Sequence, residues 1–219
     1  MRTMPTPGDA NDSDRTDTSR HHVIISGTGR AGTTFLVQLL TELGLDTGFA
    51  NPNEQIREDR GNAGMEWNLR NNPNAPYIVK NPALCEYLDR ILKSENITID
   101  HAIVPIRDLY SAAESRRSVA RKGKPNFLIP RRFLGVRKWA IRRPEEQESV
   151  LAQNFFRLLH AIAEHNIPMT LLYFPKLAKD PKYLFQKINF LLKGISYEKF
   201  AEAFQKISRP EFIHDFVSK

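Results

Sequence analysis

Apolar positions along this chain fall into short β-branched runs that alternate with longer stretches of helical spacing. Val23-Ile24-Ile25 is a compact apolar run of the kind a buried strand uses. From Thr33 to Leu43, residues Phe35, Leu36, Leu39, Leu40 and Leu43 share one helical face, and Gly44 stands where a C-cap belongs. The pattern recurs. Tyr77–Lys80 predicts a strand, followed by a helix with Leu84, Leu88, Ile91 and Leu92 on one side. His101–Ile106 predicts another strand, running into a helix from about Ser111. Residues 145–165 predict a longer helix that aligns Leu151, Phe155, Leu158 and Ile162, and Met169–Phe174 predicts a further strand. Asp180-Pro181 reads as an N-cap with proline at the first helical position, opening a helix that buries Leu184, Ile188 and Leu191. A last helix carries Phe200, Phe204 and Ile207. Strands alternating with helices in this way predict an α/β fold, a parallel β-sheet covered by helices on both faces in three layers. Ligands of such sheets bind at the carboxyl ends of the strands.

Some stretches resist this scheme. Residues 45–76 are rich in Asn, Pro and Gly, and residues 122–144 are basic and contain Pro125, Pro130 and Pro144. Loops of that length in a compact domain serve as lids or substrate walls, or are mobile. Residues 1–20 carry almost no apolar side chains and cannot bury enough surface to order themselves, so the expected organisation is a disordered arm, 1–20, and a single domain, 21–219. His21 and His22, at the end of the arm, are expected to be exposed.

Composition narrows the class. With 41% hydrophobic residues the chain is a globular protein, and no apolar run approaches the ~20 residues of a membrane span. The polar start lacks the pattern of a signal peptide, and the single cysteine, Cys85, excludes an intrachain disulfide. A cytoplasmic protein without stable membrane insertion is the expectation, with Cys85 packed as a small apolar residue. The net charge of +7 favours anionic partners: a nucleotide with several phosphates, RNA or an anionic membrane.

The chemistry concentrates at Ser26-Gly27-Thr28-Gly29-Arg30-Ala31-Gly32-Thr33-Thr34, between the first strand and the first helix. Glycines at such a junction let backbone N–H groups converge on a phosphate, and the helix N-terminus adds partial positive charge. A tight turn that binds nothing is the bland alternative. The segment approaches GxxxxGK[ST], but Thr33 holds the lysine position, which counts against an ATP- or GTP-hydrolysing site. Arg30, inside the loop, can supply the missing charge. A second segment, Ile103-Val104-Pro105-Ile106-Arg107-Asp108 with Ser115 beyond it, ends a strand in an arginine able to fork onto a phosphate. Its bland reading is an Arg107–Asp108 ion pair with Ser115 solvated on the next helix.

Gly29-Arg30-Ala31-Gly32-Thr33-Thr34 resembles the 5′-phosphosulfate-binding loop of sulfotransferases that use 3′-phosphoadenosine 5′-phosphosulfate (PAPS), and Arg107 with Ser115 resembles that family's 3′-phosphate segment. The resemblance implies a P-loop-like sulfotransferase architecture and transfer of a sulfuryl group from PAPS to a hydroxyl or amine, releasing 3′-phosphoadenosine 5′-phosphate (PAP). It implies that Gly29, Arg30, Ala31, Gly32, Thr33, Thr34, Arg107 and Ser115 bind the donor. Ala31 departs from the family's usual serine but leaves the backbone cradle intact. Lys80, in Val79-Lys80-Asn81-Pro82, resembles the family lysine that faces the sulfuryl group, so Arg30 and Lys80 would stabilise the transferring group and leaving phosphate. No metal is required by this chemistry.

The general base is less sharply marked. Pro82 stands where cytosolic members carry a histidine, so that mechanism does not transfer. Glu54 and Glu66 resemble glutamates of other branches, and each has the alternative of being a plain surface carboxylate. The acceptor class left open is a small molecule, glycan or lipid, with no nucleic acid partner expected and no oligomeric state implied. The basic stretch from Arg116-Arg117 through Arg142-Arg143 is either a solvated face or a wall closing over the 3′-phosphate or an acidic acceptor. Competing readings are a P-loop kinase or NTPase with a displaced lysine, and a basic anion-binding module for RNA or lipid.

Overall fold

The computed structural model describes residues 19–27, 29–57, 63–94, 96–122 and 144–213. Four parallel strands, β1 (Arg20–Ile25), β2 (Ile78–Lys80), β3 (Ile97–Ile106) and β4 (Met169–Tyr173), form one sheet in the order β2-β1-β3-β4. Helices flank it: α1 (Thr33–Glu42), α2 (Leu88–Ser94), α3 (Leu109–Lys122), α4 (Gln147–Glu164), α5 (Lys176–Lys179), α6 (Pro181–Ile188) and α7 (Tyr197–Ile207). The predicted α/β class with a parallel sheet is therefore the one observed.

The alternation of side chains along each strand divides the core in two. Val23 and Ile25 of β1, Ile78 of β2 and Ile103 of β3 face a cluster built by α1, α6 and α7, with Leu36, Leu40, Leu184 and Phe200 buried in it. Ile24, Val79, Ala102 and Val104 face the other way, onto Leu88 and Ile91 of α2 and Leu158 and Ile162 of α4. The chain moves from β1 to β2 on one side and then reverses past β1 to β3, which places α1 and α2 on opposite faces, as right-handed crossovers demand. In open sheets of this kind the point of reversal, here the carboxyl ends of β1 and β3, is where ligands bind.

Local signals set the helix ends. Gly44, with φ of 80°, closes α1: its N–H donates to the Thr41 carbonyl at 2.9 Å and the Leu45 N–H to Leu40 at 3.0 Å. Asp180 accepts from the Tyr183 N–H at 2.9 Å, with Pro181 at the first helical position, as its sequence predicts.

Several boundaries differ from expectation. The fold begins earlier, since Arg20, assigned to the arm, already pairs with Ile97 in the sheet, and Ser19 shares a hydrogen bond with Thr98 at 2.8 Å. Strand β3 starts at Ile97 rather than His101, because Ile97 and Ile99 point inward between polar neighbours. His22 is buried, not exposed: its Nδ1 lies 2.8 Å from the Pro76 carbonyl, and burial pushes its pKa below the usual histidine value. Cys85 packs as expected, and burial raises its thiol to about 12, which leaves it unreactive. No helix among the described residues is long and apolar enough to cross a membrane. Most of the predicted basic loop at 122–144 lies outside the described residues.

Replacing Asp180 by Ala removes the α6 cap and is expected to cost about 1 kcal/mol, read as a lowered denaturation midpoint with unchanged m-value.

Candidate functional site

The loop after β1 is shaped by backbone geometry that few residues tolerate. Gly29, Arg30 and Gly32 take φ values of 70°, 59° and 84°. Gly27 passes so close to β3 that a Cβ there would lie 2.6 Å from the Pro105 carbonyl oxygen. Gly32 then serves as N-cap of α1 without any side-chain hydrogen bond to the helix, so the first-turn N–H groups are left to other acceptors. Ser26, at the root of the loop, buries its hydroxyl completely and finds no partner for it among the described residues. Successive backbone turns of this kind, feeding a helix N-terminus, make an anion cradle.

A left-handed arginine costs about 1–2 kcal/mol in backbone strain, so something must hold Arg30 there. The segment after β3 does so. Arg107 donates to the Arg30 carbonyl at 3.0 Å, and the Arg30 Nε donates to the Ser115 hydroxyl on α3 at 3.0 Å. Arg107 is buried, with its guanidinium stacked 4.8 Å from the Phe174 ring at the end of β4. Asp108 caps α3, accepting from the Ser111 N–H at 2.8 Å, and Ser115 is buried rather than solvated. Burial pushes the Arg30 guanidinium below its ordinary pKa, and the charge of Arg107 adds to that.

Lys80 enters from the end of β2, only 2% exposed. Its ammonium donates to Glu66 Oε1 at 2.9 Å, to the Gly64 carbonyl at 2.8 Å and to the Thr34 hydroxyl at 3.4 Å. Burial lowers its pKa, the Glu66 carboxylate opposes that, and Arg30 adds to it. Glu66 itself is 44% exposed, so the pair has one buried and one wet end.

Of the sequence-predicted residues, the structure gathers Gly29, Arg30, Ala31, Gly32, Thr33, Thr34, Lys80, Glu66, Arg107 and Ser115 through this chain of contacts. Glu54 behaves differently. Its Oε2 accepts from the Ala50 N–H at 2.7 Å and closes its own turn. The first part of the basic stretch divides as well: Arg117 pairs with Glu114 and with Glu148, the latter at 3.0 Å, whereas Arg116 leans on the loop at Gly29. Residue types that could ligate a metal meet at Asp89, Glu164 and His165, where Lys93 already bridges the two carboxylates at 2.7 and 2.8 Å.

Sequence reasoning had Arg116 only within a basic stretch, read as a solvated face or a wall over the 3′-phosphate or an acidic acceptor, and did not place it at Gly29; it missed the Gly64 carbonyl as a partner of Lys80. The position of Arg116 directly after Ser115 was the further signal for the first. For the second there was none, since a carbonyl has no residue type. No protein-family model matches this chain, and no curated protein matches it.

Replacing Glu66 by Gln leaves the Lys80 ammonium short of an anion. Near pH 7 the cost is expected to be about 1–2 kcal/mol, less than for a fully buried pair because Glu66 is half exposed. Lys80 in the folded variant then binds its proton still more weakly than in the unfolded chain. Between that lowered value and 10.5 the unfolded chain holds the extra proton, so stability recovers as pH rises through this window. Unfolding free energies of both proteins measured from pH 7 to 10.5 check this; a deficit constant across the range would contradict it.

Proposed function

We propose that this protein is a PAPS-dependent sulfotransferase with a P-loop-like architecture. The observation that carries the reading is the joint between the two anion-binding segments. Arg107 holds the Arg30 carbonyl while Arg30 reaches Ser115, so the loop after β1 and the strand end after β3 form one basic unit at the switch point of the sheet. A ligand with two separated anionic groups suits such a unit better than one with a single phosphate chain. The α1 N-terminus without a side-chain cap and the Ser26 hydroxyl, unpartnered among the described residues, fit an anion in the loop.

PAPS, when bound, would supply the sulfuryl group, transferred with cleavage of its bond to the bridging phosphate oxygen and release of PAP. The backbone N–H groups of Gly29 to Thr34 would hold the 5′-phosphate, and Arg107 with Ser115 the 3′-phosphate. Arg30 and Lys80 stabilise negative charge as it develops on the leaving oxygen and the transferring oxygens. Glu66, beside Lys80, receives the proton of the acceptor hydroxyl or amine; Glu54 is left with its turn at Ala50. The acceptor is a small molecule, glycan or lipid, approaching past the 63–67 segment.

One observation favours the rival reading of a kinase or NTPase. Lys80 reaches the Thr34 hydroxyl and so brings a lysine to the loop from another strand. Calorimetry separates the two. A sulfotransferase binds PAP without Mg²⁺ and more tightly than ATP, whereas the rival binds ATP tightly only with Mg²⁺. Absence of PAP binding sinks the sulfotransferase reading.

Replacing Arg107 by Ala is expected to weaken PAP roughly 10- to 100-fold, the value of a charge-assisted phosphate contact, and to weaken adenosine 5′-phosphate less, through the loosened loop alone. Replacing Arg30 by Ala is expected to lower the transfer rate from labelled PAPS by roughly 10²–10³.

A further inference from the structure

Glu66 is half exposed and lies in an irregular segment, so its place 2.9 Å from the Lys80 ammonium needs an anchor. The segment does not favour its shape unaided: Met65 is buried with φ of 55°, a left-handed conformation that non-glycine residues rarely adopt. The anchor is the residue after Lys80. Asn81 is buried at the end of β2, and its backbone N–H donates to the Ile25 carbonyl at 3.1 Å, which fixes it to the sheet. Its side-chain Nδ2 donates to the Trp67 carbonyl at 2.8 Å and to the Tyr87 hydroxyl at 2.9 Å. Its Oδ1 accepts from the Ala83 N–H at 2.8 Å. The Trp67 N–H donates in turn to the Lys80 carbonyl at 3.1 Å. Glu66 is thus pinned on both sides, at Gly64 by the Lys80 side chain and at Trp67 by Lys80 and Asn81 together. Serving the Trp67 carbonyl and the Ala83 N–H at once takes one side chain that both donates and accepts, as a primary amide does.

We propose that Asn81 is a positioning residue of this site: by holding the Trp67 carbonyl it sets the Glu66 carboxylate against the Lys80 ammonium. What the pair does in sulfuryl transfer rests on the sulfotransferase reading; the positioning of one charge against the other does not. Asn81→Asp keeps an acceptor for the Ala83 N–H but has no donor for the Trp67 carbonyl, and Asn81→Ala has neither.

The test is a set of mutant cycles on the full chain, read by NMR from the titration of the Lys80 Cε resonance, which Lys80→Arg assigns. The Glu66 carboxylate raises the Lys80 pKa, against burial and the charge of Arg30, which lower it. Glu66→Gln is therefore expected to move the Lys80 titration to lower pH in the wild-type background. In the Asn81→Asp and Asn81→Ala backgrounds the same substitution is expected to move it by roughly half as much or less, because Glu66 is no longer held. The charge that Asn81→Asp introduces is present in both arms of its cycle and drops out. Tyr87→Phe, which leaves the Trp67 contact in place, is the control and should keep the full shift. In transfer from labelled PAPS, Asn81→Asp is expected to lower kcat roughly tenfold or more, with KM for PAPS and affinity for PAP within about twofold of wild type, as for a misplaced base.

An equal shift on Glu66→Gln in every background overturns the proposal, and so does the absence of a shift in the wild-type background. If Asn81→Ala does not fold, Asn81→Asp decides; failure of both to fold also overturns the proposal and marks Asn81 as a structural residue. A wild type that transfers no sulfuryl group brings down the sulfotransferase reading alone, since the titration cycle still decides the role of Asn81.

Discussion

The hydrogen bond from Arg107 to the carbonyl of Arg30 is the contact on which the rest of the site depends. It ties the loop after β1 to the end of β3, and it holds a non-glycine residue in a left-handed conformation. Without it, the Arg30 side chain has no fixed route to Ser115, and the glycines on either side describe a loop with no settled shape. The fold makes the contact available: reversal of chain direction past β1 sets the ends of β1 and β3 side by side, and Phe174 at the end of β4 backs the Arg107 guanidinium.

A consequence is that positive charge is delivered to the loop from several other elements as well as from Arg30 in its own sequence. Lys80 comes from β2, Arg107 from β3 and Arg116 from α3. Lys80 is offset by Glu66, while burial and the charge of Arg107 together hold Arg30 below its ordinary pKa. Such a site gains most from a ligand with more than one negative group, because every cation it neutralises relieves the others.

How much of this was legible in the sequence followed the range of the interaction. The loop was legible because glycine and threonine requirements at a strand-to-helix junction are local. Arg107 and Ser115 were legible because a strand end and the next helix lie close in sequence. The pairing of Lys80 with Glu66 and Gly64 was not, since it depends on how residues 63–67 fold back over β2. His22 misled for the same reason, its acceptor being the Pro76 carbonyl in an irregular segment. The early half of β3 was obscured by Thr98 and Asp100, polar residues on the less buried side of a strand whose other side carries Ile97 and Ile99.

Lys80 has a ligation number as much as a charge. Its ammonium has three protons, and the acceptors already around it are a hydroxyl, a backbone carbonyl and a carboxylate. An arriving anion that recruits this ammonium competes with those acceptors, and the Gly64 carbonyl is the one whose release frees backbone. The loop at Thr34 and the segment at Gly64 and Glu66 thus meet on one nitrogen atom.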